Sequence, residues 1–291
     1  MIYVIMGPTA SGKSDAAHKL ARHFNCPIIN ADAFQIYKDM DIGTNKVSKD
    51  DEDYSLYHLL DIVSPEKTYS IMEYQKTFRE TLNELLKTNK DVVVCGGSGL
   101  YIRAATYDYE FLNEDTVDET YDELNNEELH EILAKLDPKE AEKIHQNNRK
   151  RMIRAINLIK KSGEKKSSLI DKQEHKAIYS NNEIKYLFIN PPRETLYEGI
   201  NKRVDIMFEQ GLVEEVKSLL NKYDLSQTAT QGIGYKEVIA YLKNELTLEE
   251  CKELIKQRTR NYAKRQVTFF KHQFNYEEFS SSQELVDNYL S

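Results

Sequence analysis

The chain predicts an α/β fold: a parallel β-sheet flanked by helices, carrying a small helical insertion. Three observations support this. Short apolar runs rich in β-branched residues, at positions 2–6, 27–30, 91–95 and 185–190, alternate with helical patterns. That alternation is what crossover connections between parallel strands produce. Glycine follows the first and third runs directly, as at the turn out of a buried strand. Between positions 108 and 182 no strand pattern occurs, and an acidic and then basic helical stretch takes its place. The expected organisation is a discontinuous core domain, 1–108 and 183–291, with an insertion at 109–182. Loop signals at 113–116, at Ser162-Gly163 and at Ser180-Asn181-Asn182 mark the insertion's edges, and the chain beyond Pro191-Pro192 reads as nearly all helix.

The first run, Ile2-Tyr3-Val4-Ile5-Met6, reads as a buried parallel strand. It leads into Gly7-Pro8-Thr9-Ala10-Ser11-Gly12-Lys13-Ser14, a full match to Gly-x4-Gly-Lys-Ser, and then into a helix with Ala17, Leu20, Ala21 and Phe24 on one face. Strand, glycine loop and helix in that order make a phosphate-binding loop, so the predicted sheet is P-loop NTPase-like. The loop's N–H groups and the helix N-terminus attract anionic oxygens, Lys13 adds a full charge, and the Ser14 hydroxyl can ligate Mg²⁺. The motif calls for a diphosphate or triphosphate, as in nucleotide binding, without naming the reaction.

The second run ends at Asn30 and is followed by Ala31-Asp32-Ala33-Phe34-Gln35-Ile36-Tyr37. Asp32 therefore stands past the carboxyl end of a strand, on the sheet edge where ligands bind. A carboxylate there could ligate Mg²⁺ or act as a general base. It could equally cap a helix, since Gln35 stands three residues later. The third run ends in Gly96-Gly97-Ser98-Gly99-Leu100-Tyr101, a turn that either brings N–H groups and the Ser98 hydroxyl to the same phosphates or is simply a tight connection.

Bulk properties narrow the function classes. The chain has 291 residues, 40% of them hydrophobic, so it can bury a core. No apolar run is long enough for a membrane span or a signal peptide. Cys26, Cys95 and Cys251 are far apart and suggest neither disulfides nor a zinc site, so a cytoplasmic protein is expected. Net charge is −8, against indiscriminate coating of nucleic acid. Yet two basic clusters stand out, one from Arg149 to Lys166 and one from Lys256 to Lys271. Each alone reads as a solvated helix face; together they make a polyanion partner plausible. Of the 19 tyrosines most are expected at core edges or on the surface, with Tyr101 and Tyr262 near ligands.

Taken along the whole chain, these segments resemble the tRNA dimethylallyltransferase (tRNA isopentenyltransferase) family. The phosphate loop is spelled as in that family. The segment from Asp32, with Met40-Asp41-Ile42-Gly43-Thr44 after it, is similar to the family's Asp-Ser-x-Gln-x-Tyr and Met-Asp-Ile-Gly-Thr motifs. His58-Leu59-Leu60-Asp61, the Gly96 turn, Asp137-Pro138 and Ile144-His145 follow in the expected order, as do Arg151-Met152-Ile153-Arg154-Ala155 and Arg203-Val204-Asp205 with Met207. Gly211-Leu212, Gly234-Tyr235-Lys236-Glu237 and Tyr262-Ala263-Lys264-Arg265-Gln266 complete the set.

The resemblance implies transfer of a dimethylallyl group from dimethylallyl diphosphate to the exocyclic N6 of adenine 37, next to the tRNA anticodon. It implies that Gly7 through Ser14 hold the diphosphate and that Asp32 is the general base. Lys13, Arg203 and Ser98 would act on the leaving diphosphate, with Mg²⁺ on Ser14. It implies contacts to the anticodon stem-loop from Asp32, Ala33, Phe34, Gln35 and Ser98, from Lys150, Arg151, Met152, Ile153 and Arg154, and from Gln231, Gly232, Ile233, Gly234, Tyr235 and Lys236. Gln35 would pair with an edge of the flipped adenine. A monomer is expected.

Three positions depart from the family pattern. Ala33 stands where serine is usual, Gln231 where some members carry arginine, and no arginine occurs between Arg103 and Arg149, where a basic tRNA contact is expected. Three other readings are a kinase, which would need an arginine-rich lid, a binding protein that has lost its chemistry, and a prenyltransferase acting on free adenosine phosphates.

Overall fold

The computed structural model describes residues 1–109, 111, 120–171 and 176–290; the loop signal at 113–116 lies outside them. Strand β1 (Ile2–Met6) is buried at four of its five positions, as a run of branched side chains in a parallel sheet should be. Gly12, at φ +85°, turns the chain into helix α1 (Lys13–Phe24), which buries Ala16, Ala17, Leu20 and Ala21 and stops at Asn25 in the left-handed region. Strand β2 (Ile28–Asn30), a short 3-10 turn (Glu52–Leu56) and strand β3 (Tyr57–His58) follow. Helix α2 (Ile71–Thr88) starts at a capping box, in which the Glu73 amide donates to Ser70 Oγ and the Ser70 amide donates to Glu73 Oε2. Strand β4 (Val92–Gly96) and helix α3 (Gly99–Thr106) complete the first half.

Helices α4 (Asn126–Leu136), α5 (Pro138–Lys143), α6 (Arg149–Ser162) and α7 (Lys166–Asp171) come next. The chain then resumes the sheet with β5 (Ile184–Ile189) and continues through α8 (Arg193–Glu209), α9 (Leu212–Lys222), α10 (Gln227–Thr230) and α11 (Tyr235–Leu242). The long α12 (Leu248–Gln273), strand β6 (Glu277–Phe279) and α13 (Ser282–Leu290) end the described chain. No helix among the described residues is long and apolar enough to cross a membrane.

Two compact units result: 1–106 with 179–291, and Tyr107–Ile178. In the first, six parallel strands run in the order β3-β2-β4-β1-β5-β6. Because β1 and β2 are separated by β4, and all strands point the same way, the segments leaving β1, β2 and β4 emerge side by side on one edge. One apolar core lies between the sheet and α1 with α13, around Leu20, Ile28, Leu187 and Leu285. A second joins Tyr37 and Met40 to Val204, Leu212, Val216, Tyr235 and Ile255, carried by α8, α9, α11 and α12.

The second unit has its own core of Leu129, Leu133, Ile144, Met152, Ile156 and Ile159. Asp137 organises it: its carboxylate accepts from the Glu140 amide at the start of α5 and from the amide and hydroxyl of Ser167 on α7. Burial alone would raise the Asp137 pKa, but these donors outweigh it and hold the carboxyl below its ordinary value.

Candidate functional site

The loop after β1, the turn after β2 and the glycine turn after β4 meet at a cavity of about 540 Å³ in the first unit. Thr9 through Ser14, Asp32, Phe34, Gln35, Gly96, Arg203, Gln231, Ile233, Gly234, Tyr235 and Lys236 line it. Gly7, Pro8, Ala33, Ser98 and Gly232 do not. Gly96 has to be a glycine, since a Cβ there would lie 2.0 Å from the Ala31 carbonyl oxygen.

Lys13 and Arg203 enter this cavity from opposite ends of the sequence. Lys13 Nζ donates to the Pro8 carbonyl at 3.2 Å, and Arg203 Nη1 donates to Thr9 Oγ1 at 3.1 Å. Burial pushes the Lys13 pKa down; Cys95 and Asp32 oppose the shift and Arg203 adds to it. Burial also lowers Arg203. Neither cation forms an ion pair with a carboxylate among the described residues, so both are held in the wall at an energetic cost that a bound anion would relieve.

Asp32 is fixed by its neighbours. Its amide donates to Asn30 Oδ1 at 3.1 Å, and its Oδ1 accepts from the Phe34 amide at 2.9 Å and the Gln35 amide at 3.4 Å. These resemble a cap, but no helix follows, and Gln35 does not reach back to close a capping box. Gln35 Nε2 donates instead to the Thr44 and Asn45 carbonyls, at 3.1 and 3.2 Å. Asp32 Oδ2 makes no hydrogen bond to a described residue. Ser98 sits behind this turn, its Oγ accepting from the Ala33 amide at 2.9 Å. In this geometry Ser98 holds the Asp32 segment in place.

Several lining residues carried no signal of their own in the sequence: Tyr57, Ile255, Thr259, Arg265 and Gln266. Arg265 and Gln266 belong to the quoted Tyr262 motif, but that motif named no role for them. Gln266 joins two of the three segments that form the site. Its Oε1 accepts from the Thr9 amide at 3.0 Å, and its Nε2 donates to the Gly97 carbonyl at 2.8 Å. Gln266→Leu leaves both backbone groups without partners and is expected to cost about 2–4 kcal/mol, measured by urea unfolding. Stability equal to the wild type would show that the strut is dispensable. Of the two tyrosines expected near ligands, Tyr262 lines the cavity, whereas Tyr101 stacks on Tyr74 with ring centroids 4.2 Å apart and lies outside it.

Lys150, Arg151, Met152, Ile153 and Arg154 lie on α6 in the second unit. Lys150, Arg151 and Arg154 are exposed, but Met152 is fully buried in that unit's core, so its side chain cannot reach an outside ligand.

A family model described as IPP transferase matches residues 35–273. The chain belongs to the IPP transferase family. Among its relatives, the tRNA dimethylallyltransferase of Acetivibrio thermocellus is 40% identical, the match covering 99% of this chain and 95% of the relative. A crystal structure of tRNA delta(2)-isopentenylpyrophosphate transferase from Staphylococcus epidermidis is 37% identical and superposes with a TM-score of 0.70, over 99% of this chain and 96% of that one. A eukaryotic dimethylallyltransferase, described as acting on tRNA, shares 26% identity with a TM-score of 0.80, over 96% of this chain and 74% of its own. The fold is the P-loop NTPase-like α/β fold of this IPP transferase family.

Proposed function

We propose that this IPP transferase family member is a tRNA dimethylallyltransferase, moving a dimethylallyl group from dimethylallyl diphosphate to N6 of adenine 37. The observation that carries the reading is that Lys13 and Arg203, which have no carboxylate ion pair among the described residues, line a single cavity with Asp32, whose Oδ2 makes no hydrogen bond to a described residue. The cations suit a diphosphate, and the carboxylate suits an acceptor that must lose a proton. The bond from N6 to the allylic carbon forms as the carbon–oxygen bond to diphosphate breaks. Asp32 takes the N6 proton, which an amine conjugated with the purine ring needs if it is to react. Lys13, Arg203 and the N–H groups of the loop from Gly7 to Ser14 stabilise the charge that develops on the leaving diphosphate.

The residues present fit a magnesium ion of a particular kind. Among the described residues no cluster of three or more His, Cys, Asp or Glu side chains could hold a metal. Ser14, exposed at the first turn of α1 and lining the cavity, offers one hydroxyl. That donor set suits Mg²⁺ bound largely through diphosphate oxygens and water, with Ser14 as its protein ligand. When bound, the ion neutralises part of the leaving group's charge.

For the acceptor, Gln231, Ile233, Gly234, Tyr235 and Lys236 share the cavity wall with Asp32, Phe34 and Gln35, while the exposed cations of α6 suit tRNA phosphates. Gln35 would present Oε1 to the adenine, because its amide nitrogen is taken up by Thr44 and Asn45. The enzyme is read as a cytoplasmic monomer. The test is an assay of diphosphate release with Mg²⁺, dimethylallyl diphosphate and unmodified tRNA. Release that requires tRNA, is not supported by AMP and consumes no ATP agrees with the proposal. Release with AMP alone would move the acceptor to a free nucleotide, and ATP consumption without the prenyl donor would make the protein a kinase.

A further inference from the structure

A line of three side chains outside the phosphate loop leads into the same cavity. Asp53, 7% exposed in the turn before β3, places Oδ2 2.9 Å from His18 Nδ1. His18 Nε2 lies 2.9 Å from Tyr57 Oη, with the two rings edge to face at 5.6 Å. Tyr57 lines the cavity that Ser14 also lines. His18 follows Ser14 by one helical turn, so one face of α1 carries both the hydroxyl that suits a metal and the imidazole that holds Tyr57. Asp53 is itself fixed, its Oδ1 accepting from Arg22 Nε at 2.8 Å and its amide donating to Asp51 Oδ1 at 2.9 Å.

The chemistry of the line gives it a direction. A carboxylate only accepts, so His18 carries its proton on Nδ1 and donates it to Asp53. Burial pushes the His18 pKa down; Asp53, Asp51 and Asp15 pull it back up, and Arg22 opposes them. The net shift is downward, which keeps the ring neutral near pH 7 with a lone pair on Nε2. Burial, with Cys95, Asp53 and Asp51 nearby, raises the Tyr57 phenol well above its ordinary value, so it keeps its proton and donates it to His18. With its proton committed to His18, Tyr57 has only oxygen lone pairs left to offer a further partner. A phosphate oxygen, itself an acceptor, finds no partner there; a metal-bound water does.

We propose that Asp53–His18–Tyr57 is a positioning relay that presents the Tyr57 oxygen as a hydrogen-bond acceptor to the water shell of the divalent cation held by Ser14 and the diphosphate. This rests on the reading of the cavity as a diphosphate site. Tyr57 acts through the ion's waters and touches no reacting atom. Removing such an outer-sphere partner weakens metal affinity and leaves the diphosphate contacts of Lys13 and Arg203 in place.

The test is calorimetric titration of inorganic diphosphate into the full chain over a series of Mg²⁺ concentrations, for the wild type, Tyr57→Phe and His18→Phe. Tyr57→Phe deletes one oxygen and keeps the ring, so it remains informative if the His18 variant fails to fold. The expected result is an increase of about tenfold in the Mg²⁺ concentration at which diphosphate affinity is half-maximal, with affinity at saturating Mg²⁺ unchanged. An unmoved Mg²⁺ midpoint in Tyr57→Phe would overturn the relay, as would a loss of diphosphate affinity that persists at saturating Mg²⁺. If the wild type binds no diphosphate at any Mg²⁺ concentration, the diphosphate site itself falls, and the relay with it.

Discussion

Asp32→Asn is expected to lower kcat by about two to four orders of magnitude while diphosphate binding and folding stay close to wild type. The asymmetry comes from the two oxygens. Oδ1 accepts from the Phe34 and Gln35 amides, and an asparagine carbonyl can keep both bonds. Only the proton-accepting oxygen is replaced, by an amide group that cannot serve as a base. The measurement is single-turnover transfer with tRNA in excess, together with a thermal melt and a diphosphate titration of the same variant. A variant that keeps its rate would remove Asp32 from the chemistry; one that loses stability would return Asp32 to a purely local role in the turn.

Arg203→Met separates stability from function in a different way. Arg203 is held by one neutral partner, Thr9 Oγ1, and burial already lowers its pKa. Removing a partly desolvated cation that has no counter-ion among the described residues should leave the ligand-free protein as stable as before, or more so. The stabilisation that added diphosphate confers on the wild type should shrink sharply, and kcat should fall by about two to three orders of magnitude. Thermal unfolding with and without diphosphate tests both halves. A less stable free protein with an unchanged diphosphate-induced shift would make Arg203 a structural residue.

The two variants probe features of unequal legibility. The phosphate loop was readable because its chemistry is local: glycines, Lys13 and Ser14 stand within eight residues, with a strand before and a helix after. Strands β1, β2, β4 and β5 were readable for the same reason, as continuous apolar runs. β3 and β6 were not. Tyr57–His58 spans two residues, and Glu277–Phe279 puts two exposed glutamates into an edge strand, so neither carries a period.

Asp32 was ambiguous because capping and catalysis use the same side chain and the same neighbours. The absence of a following helix, and the route of Gln35 to Thr44 and Asn45, remove the helix-cap reading alone. Ser98 illustrates a further limit. A hydroxyl in a glycine turn reads as a phosphate ligand, and nothing local shows that it also accepts from the Ala33 amide across 65 positions of sequence. Gln266 and Tyr57 lie further still from any local pattern. Their partners, Thr9 and Gly97 in one case and His18 in the other, meet them only because the strand order stacks distant turns on one edge.

The most direct measurement is the identity of the product. Unmodified tRNA with adenine 37 beside the anticodon would be incubated with dimethylallyl diphosphate, Mg²⁺ and either wild type or Asp32→Asn. The digested nucleosides and anticodon-loop fragments would then be read by mass spectrometry. The predicted result is adenosine carrying one dimethylallyl group at position 37 with the wild type, and almost none with Asp32→Asn. Unmodified tRNA after incubation with a wild-type protein that binds diphosphate would contradict the assignment, as would a prenylated nucleotide formed equally well by both proteins.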